Sequence, residues 1–134
     1  MIRHAAPPSI RLAIENGKLP SGVKEKLAKV VKAHKKAVSD SDVLYAELTK
    51  AAGMEGGDSV SIANAKKNIV TAVKSSKEWV SLFEMYMQFE TDDQSNALSE
   101  NKIIGDMNES GRSLEVLFEA CENAKVLTRL AQDE

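Results

Sequence analysis

The amino-acid sequence predicts an all-α, bundle-like protein: a long αα-hairpin with a short N-terminal helix and one or two C-terminal helices. Three observations predict this fold class. The 35 residues after Gly56 contain no proline, apolar residues recur at spacings of three and four, and the alternation typical of half-buried strands is absent. Alanine contributes 16 of the 134 residues, which favours helices that approach one another closely.

The length of 134 residues is typical of one domain. We predict a flexible tail over residues 1–7 and a single helical domain over residues 8–134. Within that domain the hairpin covers residues 21–90, and a C-terminal helical region covers residues 91–132. The first element, a short helix from Ser9 to Asn16, ends before Gly17 and Pro20. It is too short to be stable alone, so we expect it to dock on the rest of the domain.

The first hairpin helix has two chemically different sides. Its predicted buried stripe falls within an arc of about 100° and consists of Val23, Leu27, Val30, Val31, His34 and Val38. The opposite arc is filled by Lys24, Lys26, Lys29, Lys32, Lys35 and Lys36. The polar run 39–42 leaves two alternatives open, a continuous helix or a break, because such side chains compete for backbone groups. Gly53, Gly56 and Gly57 then predict a turn.

The second hairpin helix is predicted from Asp58 or Ser59 to about Glu90. Its coiled-coil-like seam consists of Ile62, Ile69, Val73, Val80, Phe83 and Met87. The segment 79–89 is the most unusual part of the chain, since eight of its eleven residues are large and apolar and it holds four of the six aromatic residues. A helix that is apolar all round must be covered on several sides.

The C-terminal region is predicted to begin with a capping box, in which Thr91 is the N-cap and Gln94 reaches back. Gly105 and Gly111 weaken the helical pattern that follows. One continuous helix and two helices with a joint near Gly111 are therefore both compatible with the sequence.

Charge is distributed unevenly along the chain. Residues 1–50 carry a net charge of +5, residues 51–90 carry −1, and residues 91–134 carry −6. Three explanations are open. The two ends could lie together and neutralise each other, copies could attract one another head to tail, or the basic half could hold a polyanion.

No pattern in the chain indicates an enzyme, a cofactor or a small-molecule substrate. Cys121 and His34 are the only thiol and imidazole with predicted order, and both lie on apolar stripes where inert core residues are common. Two histidines and one cysteine give no zinc spacing. No secretory signal or membrane-spanning run is recognisable, so we expect a cytoplasmic protein without a membrane partner.

These observations favour a non-enzymatic oligomerisation or protein-interaction module, such as an assembly or adaptor protein. Its partner would be a second copy or another helical protein. The predicted interface consists of Trp79, Phe83, Met85, Tyr86 and Phe89, because aromatic residues and methionine are enriched at interfaces. The equally plain alternative for this segment is the hub of an internal three-helix core.

The alternative function is sequence-tolerant nucleic-acid binding by the lysine-rich helix over residues 23–38. The predicted phosphate contacts are Lys24, Lys29, Lys32, Lys35 and Lys36. No arginine occurs between Arg11 and Arg112, which disfavours base-specific reading. A solvated helix face remains the simplest explanation of these lysines.

Overall fold

Three long helices form the fold in a computed structural model that describes residues 18–20, 22–88, 90–92 and 97–132. They are α1 (Val23–Ala51), α2 (Ser59–Tyr86) and α3 (Ala97–Gln132), and each packs against the other two. The all-α, bundle-like fold class is therefore confirmed. The predicted tail over residues 1–7 and the predicted helix Ser9–Asn16 lie outside the described residues.

Side-chain pairs across the bundle give the directions of α1 and α2. His34 bonds to Ser76, and farther along α1 the ring of Tyr45 contacts Lys66, which lies earlier in α2. The two helices therefore run side by side in opposite directions. Within the described residues, no helix has an apolar stretch sufficient to span a bilayer.

Helix α1 is unbroken through the polar run 39–42, which resolves the alternative left open by the sequence. Ser41 is fully buried there, and its hydroxyl donates to the carbonyl of Val38 at 2.7 Å. The hydroxyl is thus satisfied by its own helix and does not compete with the helical backbone bonds. The helix begins after Gly22, whose φ of 84° suits a residue without a side chain.

The predicted glycine turn joins α1 to α2 over residues 52–58. A Cβ atom on Gly57 would collide with the backbone carbonyl of Ala51, so the turn can close only around a glycine at this position. Asp58 then caps α2, since its carboxylate accepts from the backbone N–H groups of Val60 at 3.0 Å and Ser61 at 3.3 Å.

Two three-residue strands, which the sequence did not reveal, close the end of the bundle away from this turn. Strand β1 (Lys18–Pro20) pairs in parallel with β2 (Glu90–Asp92), so that Leu19 lies opposite Thr91. The predicted capping box at Thr91 is therefore wrong, and the last helix begins at Ala97. So short a pairing between distant segments leaves no periodic signal in the sequence.

Helix α3 is one continuous helix, so the predicted joint near Gly111 is absent. Nothing lies within 4 Å of the Cβ position at Gly105 or Gly111, which shows that neither glycine serves a close approach. Packing along the whole length of α3 outweighs the modest cost of about 1 kcal/mol that each glycine adds.

The buried side chains form two clusters. The cluster nearer the glycine turn includes Leu48, Ile62, Ile69 and Leu117. The cluster nearer the strands is built from Leu19, Val23, Leu27, Val31, Leu82, Phe83, Tyr86 and Ile103. His34 and Ser76 lie at the level between them, with a distance of 2.9 Å from Nδ1 to Oγ.

Candidate functional site

The aromatic segment of α2 is divided between the core and the surface. Phe83 and Tyr86 are completely buried, and their ring centroids lie 6.2 Å apart. The Tyr86 hydroxyl donates to a carboxylate oxygen of Asp106 at 2.8 Å. Trp79 is half-buried, with its ring 5.5 Å from Phe83, while Met85 is 45% exposed.

The two buried aromatic residues of this segment favour the explanation that it is the hub of an internal core and not a surface for a partner. Phe83 and Tyr86 pack with Leu19 and Ile103 and have no area to offer a partner. Of the predicted interface residues, only Trp79 and Met85 have accessible surface among the described residues, and Phe89 lies outside them. A partner surface on α2 must therefore be formed mainly by other side chains.

A groove lies between α1 and α2. This α1–α2 groove has a volume of about 580 Å³ and is lined by Asp42, Tyr45, Ile69, Val70, Val73, Lys74, Lys77, Glu78 and Ser81. Its floor is apolar, and Val70 and Tyr45 keep 54% and 37% of their surface exposed. Val70 and Tyr45 therefore leave part of an apolar surface in water along the groove, which makes the groove a candidate interaction site.

A cation–π contact orients the aromatic side chain of the groove. The Lys66 ammonium lies 4.8 Å from the centroid of the Tyr45 ring, across the two helices. Lys66 is a charged residue between the seam residues Ile62 and Ile69. In the structure this half-buried lysine covers the ring face and adds positive charge to one end of the groove.

The α2 wall of the groove has a regular order. Val70, Lys74, Lys77 and Ser81 are spaced by four, three and four residues, which places them along one side of the helix. Met85 follows one turn later on the same side. Sequence reasoning did not identify this wall, although one signal was present, since Val70 is an apolar residue outside the predicted seam.

The lysine face of α1 is present as predicted. Lys29 and Lys32 are exposed, and neither forms an ion pair with any residue that the structure describes. Lys35 pairs with Glu84 at 2.9 Å, and Lys36 pairs with Asp40 at 3.1 Å. Lys24 is half-buried. The face is thus only partly neutralised by the protein's own carboxylates.

Helix α3 presents the opposite charge to solvent. Its outermost side carries Glu115, Glu119, Glu122, Val126 and Leu130, all exposed, and we name this set the acidic stripe. Across the described residues no ion pair joins α1 to α3, although the two helices pack together. Within the described residues, the contact between these two helices therefore does not pair their opposite charges.

A second groove lies between α2 and α3, with a volume of about 510 Å³. It is lined mainly by polar side chains, and the hydroxyls of Ser75 and Ser113 bond to each other across it at 2.7 Å. The two serine hydroxyls already satisfy each other, and we take the α1–α2 groove as the candidate site for a partner.

The two groups considered for nucleophilic chemistry are held in unreactive forms. Burial raises the pKa of the Cys121 thiol, which keeps it protonated, and burial lowers the pKa of His34, which keeps it neutral. Among the described residues, no cluster of three or more histidine, cysteine, aspartate or glutamate side chains could hold a metal ion.

Comparisons with models of known protein families, with curated proteins and with solved structures find no match for this chain.

Proposed function

We propose that this chain is a non-enzymatic helical protein-interaction module, an assembly or adaptor protein, whose docking site is the α1–α2 groove. The observation that carries the proposal is the exposure of the Tyr45 and Val70 side chains along this groove. An open groove between two helices fits the apolar side of a third helix, a common mode of peptide recognition. A cytoplasmic location suits the lone Cys121, which such a compartment keeps as a thiol.

Charge further defines the partner. Three lysines, Lys66, Lys74 and Lys77, lie on or beside the groove, whereas its lining contains two carboxylates, those of Asp42 and Glu78. Lys74 and Lys77 form no ion pair within the described residues. We therefore expect the groove to prefer an amphipathic helix whose apolar side is bordered by glutamate or aspartate.

The test is direct binding of a synthetic peptide. A fluorescein-labelled helical peptide of roughly 18 residues, with leucine along one side and flanking glutamates, would be titrated with the protein and followed by anisotropy. We expect saturable binding that Val70→Asp weakens at least about tenfold, because an unpaired carboxylate would be buried at the centre of the contact.

Val43→Asp is the matched control. Val43 lies in the middle of the α1 sequence, is 59% exposed and does not line the groove. Its substitution therefore changes the charge and the helix propensity as Val70→Asp does, but outside the groove. Equal effects of the two substitutions would contradict the assignment of the groove. A peptide with lysine in place of glutamate should bind more weakly, and equal binding would remove the preference for acidic partners.

Sequence-tolerant nucleic-acid binding is a second candidate, favoured by the exposed Lys29 and Lys32, which form no ion pair with any described residue. We expect a gel shift with double-stranded DNA that weakens as salt rises, since each neutralised phosphate releases a counterion. Lys29→Glu combined with Lys32→Glu should abolish the shift, whereas Lys74→Glu combined with Lys77→Glu should largely preserve it. A shift that is insensitive to the first pair would remove the lysine face as the binding surface.

A further inference from the structure

We infer that the helix that docks in the α1–α2 groove is α3 of a second copy of this chain, held by its acidic stripe. The inference rests on the proposed function of the groove and names its partner. It commits to a head-to-tail contact, in which one copy contributes the groove and the next contributes the stripe.

The first argument is a match of order between the two surfaces. The α2 wall reads Val70, Lys74, Lys77, Ser81, with spacings of four, three and four. The acidic stripe, taken backwards from Val126, reads valine, glutamate, glutamate, glutamate with the same three spacings. Because equal spacings project side chains at equal intervals, two antiparallel helices align these sets over a length of about 17 Å.

Antiparallel docking in this register joins one valine to another and each of the two lysines of the α2 wall to a glutamate. Val70 meets Val126, Lys74 meets Glu122, and Lys77 meets Glu119. Leu130 then lies one turn beyond Val70, opposite Lys66, at the end of the groove where Tyr45 is 37% exposed. Leu130 and Val126 are 58% and 44% exposed in the single chain, so docking would cover two otherwise solvated apolar side chains.

The second argument is electrostatic. Glu119, Lys74 and Lys77 make no ion pair in the described chain, and Glu122 has only an exposed i,i+3 contact with Lys125 at 3.4 Å. An exposed pair of that kind contributes little and yields readily to a better partner. One of the groove's own carboxylates, Glu78, falls between Glu115 and Glu119 in this register, so the contact contains one repulsion beside the two lysine–glutamate pairs.

The geometry also dictates the kind of assembly. The stripe lies on the outside of α3 and the groove on the far side of the α1–α2 pair, so one chain cannot satisfy both surfaces by itself. Each copy can therefore bind two neighbours, one through each surface. Contacts of this heterologous type produce closed rings or open filaments instead of a symmetric dimer.

Complementation of two blocked variants tests the inference. Val70→Asp disables the groove and leaves the stripe intact, whereas Val126→Asp disables the stripe and leaves the groove intact. We expect the wild-type protein to self-associate in sedimentation velocity, with the association weakening as salt is raised. Each variant alone should sediment as a monomer of 14.6 kDa.

Mixed in equal amounts, the two variants should form a 1:1 complex of twice the monomer mass and no larger species, because one working groove and one working stripe remain. The circular dichroism spectrum of each variant is compared with that of the wild type, to distinguish a loss of assembly from a loss of fold. Val43→Asp should assemble as the wild type does.

Three results would overturn the inference. They are a wild-type chain that stays monomeric at low salt and high concentration, a Val126→Asp variant that assembles normally, and a mixture that forms no heterodimer. The peptide titration distinguishes the two levels of the proposal. If the acidic peptide binds in a Val70-dependent way but the chain does not complement itself, the groove is a docking site for another protein and only the second-copy inference fails.

Discussion

The side chain of His34 carries a polar atom, Nε2, that is buried without a hydrogen-bond partner in the part of the chain that the structure describes. Its other ring nitrogen, Nδ1, lies 2.9 Å from the hydroxyl of Ser76. The residue itself has no exposed surface. Such an orphaned atom costs about 1–3 kcal/mol, whereas a neutral hydrogen bond contributes about 0.5–1.5 kcal/mol.

Replacing both partners by apolar residues should therefore stabilise the fold. The double variant His34→Leu/Ser76→Ala removes the free-energy cost of the buried Nε2, which exceeds the stabilisation lost with the hydrogen bond. Leucine also has nearly the volume of histidine, so the core remains filled. We expect the free energy of unfolding at pH 7.5 to rise by on the order of 1 kcal/mol. Ser76→Ala alone should instead destabilise the fold, because it leaves Nδ1 unsatisfied as well.

The same residue should make the stability of the wild type depend on pH. Burial lowers the pKa of His34 from its ordinary value of 6.5, so the unfolded chain takes up a proton before the folded one does. The neutral imidazole thus makes its full contribution to the free energy of unfolding above pH 6.5, and this contribution is lost as the pH falls below that value. At pH 5.5 the loss reaches at most about 1.4 kcal/mol.

Urea unfolding followed by circular dichroism at pH 7.5 and pH 5.5 measures both effects. The double variant should lose less stability than the wild type between these two values. His4→Gln removes the only other histidine, so a comparison of its pH dependence with that of the double variant assigns the effect to one of the two residues. The hydrogen bonds that lower the pKa of Asp58 act at far lower pH and do not interfere. A double variant with the full wild-type pH dependence would refute this account of His34.

Three further perturbations test the packing. Phe83→Ala should destabilise the fold by about 3–5 kcal/mol, because Phe83 is completely buried. Met85→Ala, at a 45% exposed position, should change the stability by less than about 1 kcal/mol. Equal effects of the two variants in urea unfolding would contradict the buried position of Phe83. Gly57→Ala should destabilise by about 1–3 kcal/mol because its Cβ meets backbone, while Gly111→Ala should stabilise by about 0.5–1 kcal/mol; calorimetry that finds the same sign for both would be inconsistent with the turn geometry. Cys121, which is 7% exposed, should react with a chromogenic thiol reagent far more slowly in native protein than in denaturing urea, and a fast native reaction would show that the thiol is accessible.

Local sequence patterns were sufficient for the helices and the turn. The buried stripe of α1, the seam of α2 at Ile62 and Ile69, and the glycine turn all follow from spacing and backbone chemistry within a few residues. The lysine face was predictable for the same reason, because a helix places every third or fourth side chain on one side whatever surrounds it.

The ends of the elements were harder to predict. Thr91 has the sequence of a helix cap but lies in β2, since pairing with β1 satisfies the backbone there instead. Gly111 resembles a helix joint but lies inside α3, because packing along the whole helix outweighs its intrinsic cost.

The candidate site, too, was predictable from the sequence only in part. From the sequence, the segment 79–89 had to be covered by something, but helical periodicity gives only the angle at which each side chain leaves the helix. Leu19 and Ile103, distant in the chain, cover Phe83 and Tyr86, whereas Val70 keeps 54% of its surface exposed. The sequence by itself thus determined which residues are apolar and how they are spaced. Only the tertiary structure decided which of them stay in water, because burial depends on elements that meet across the whole length of the chain.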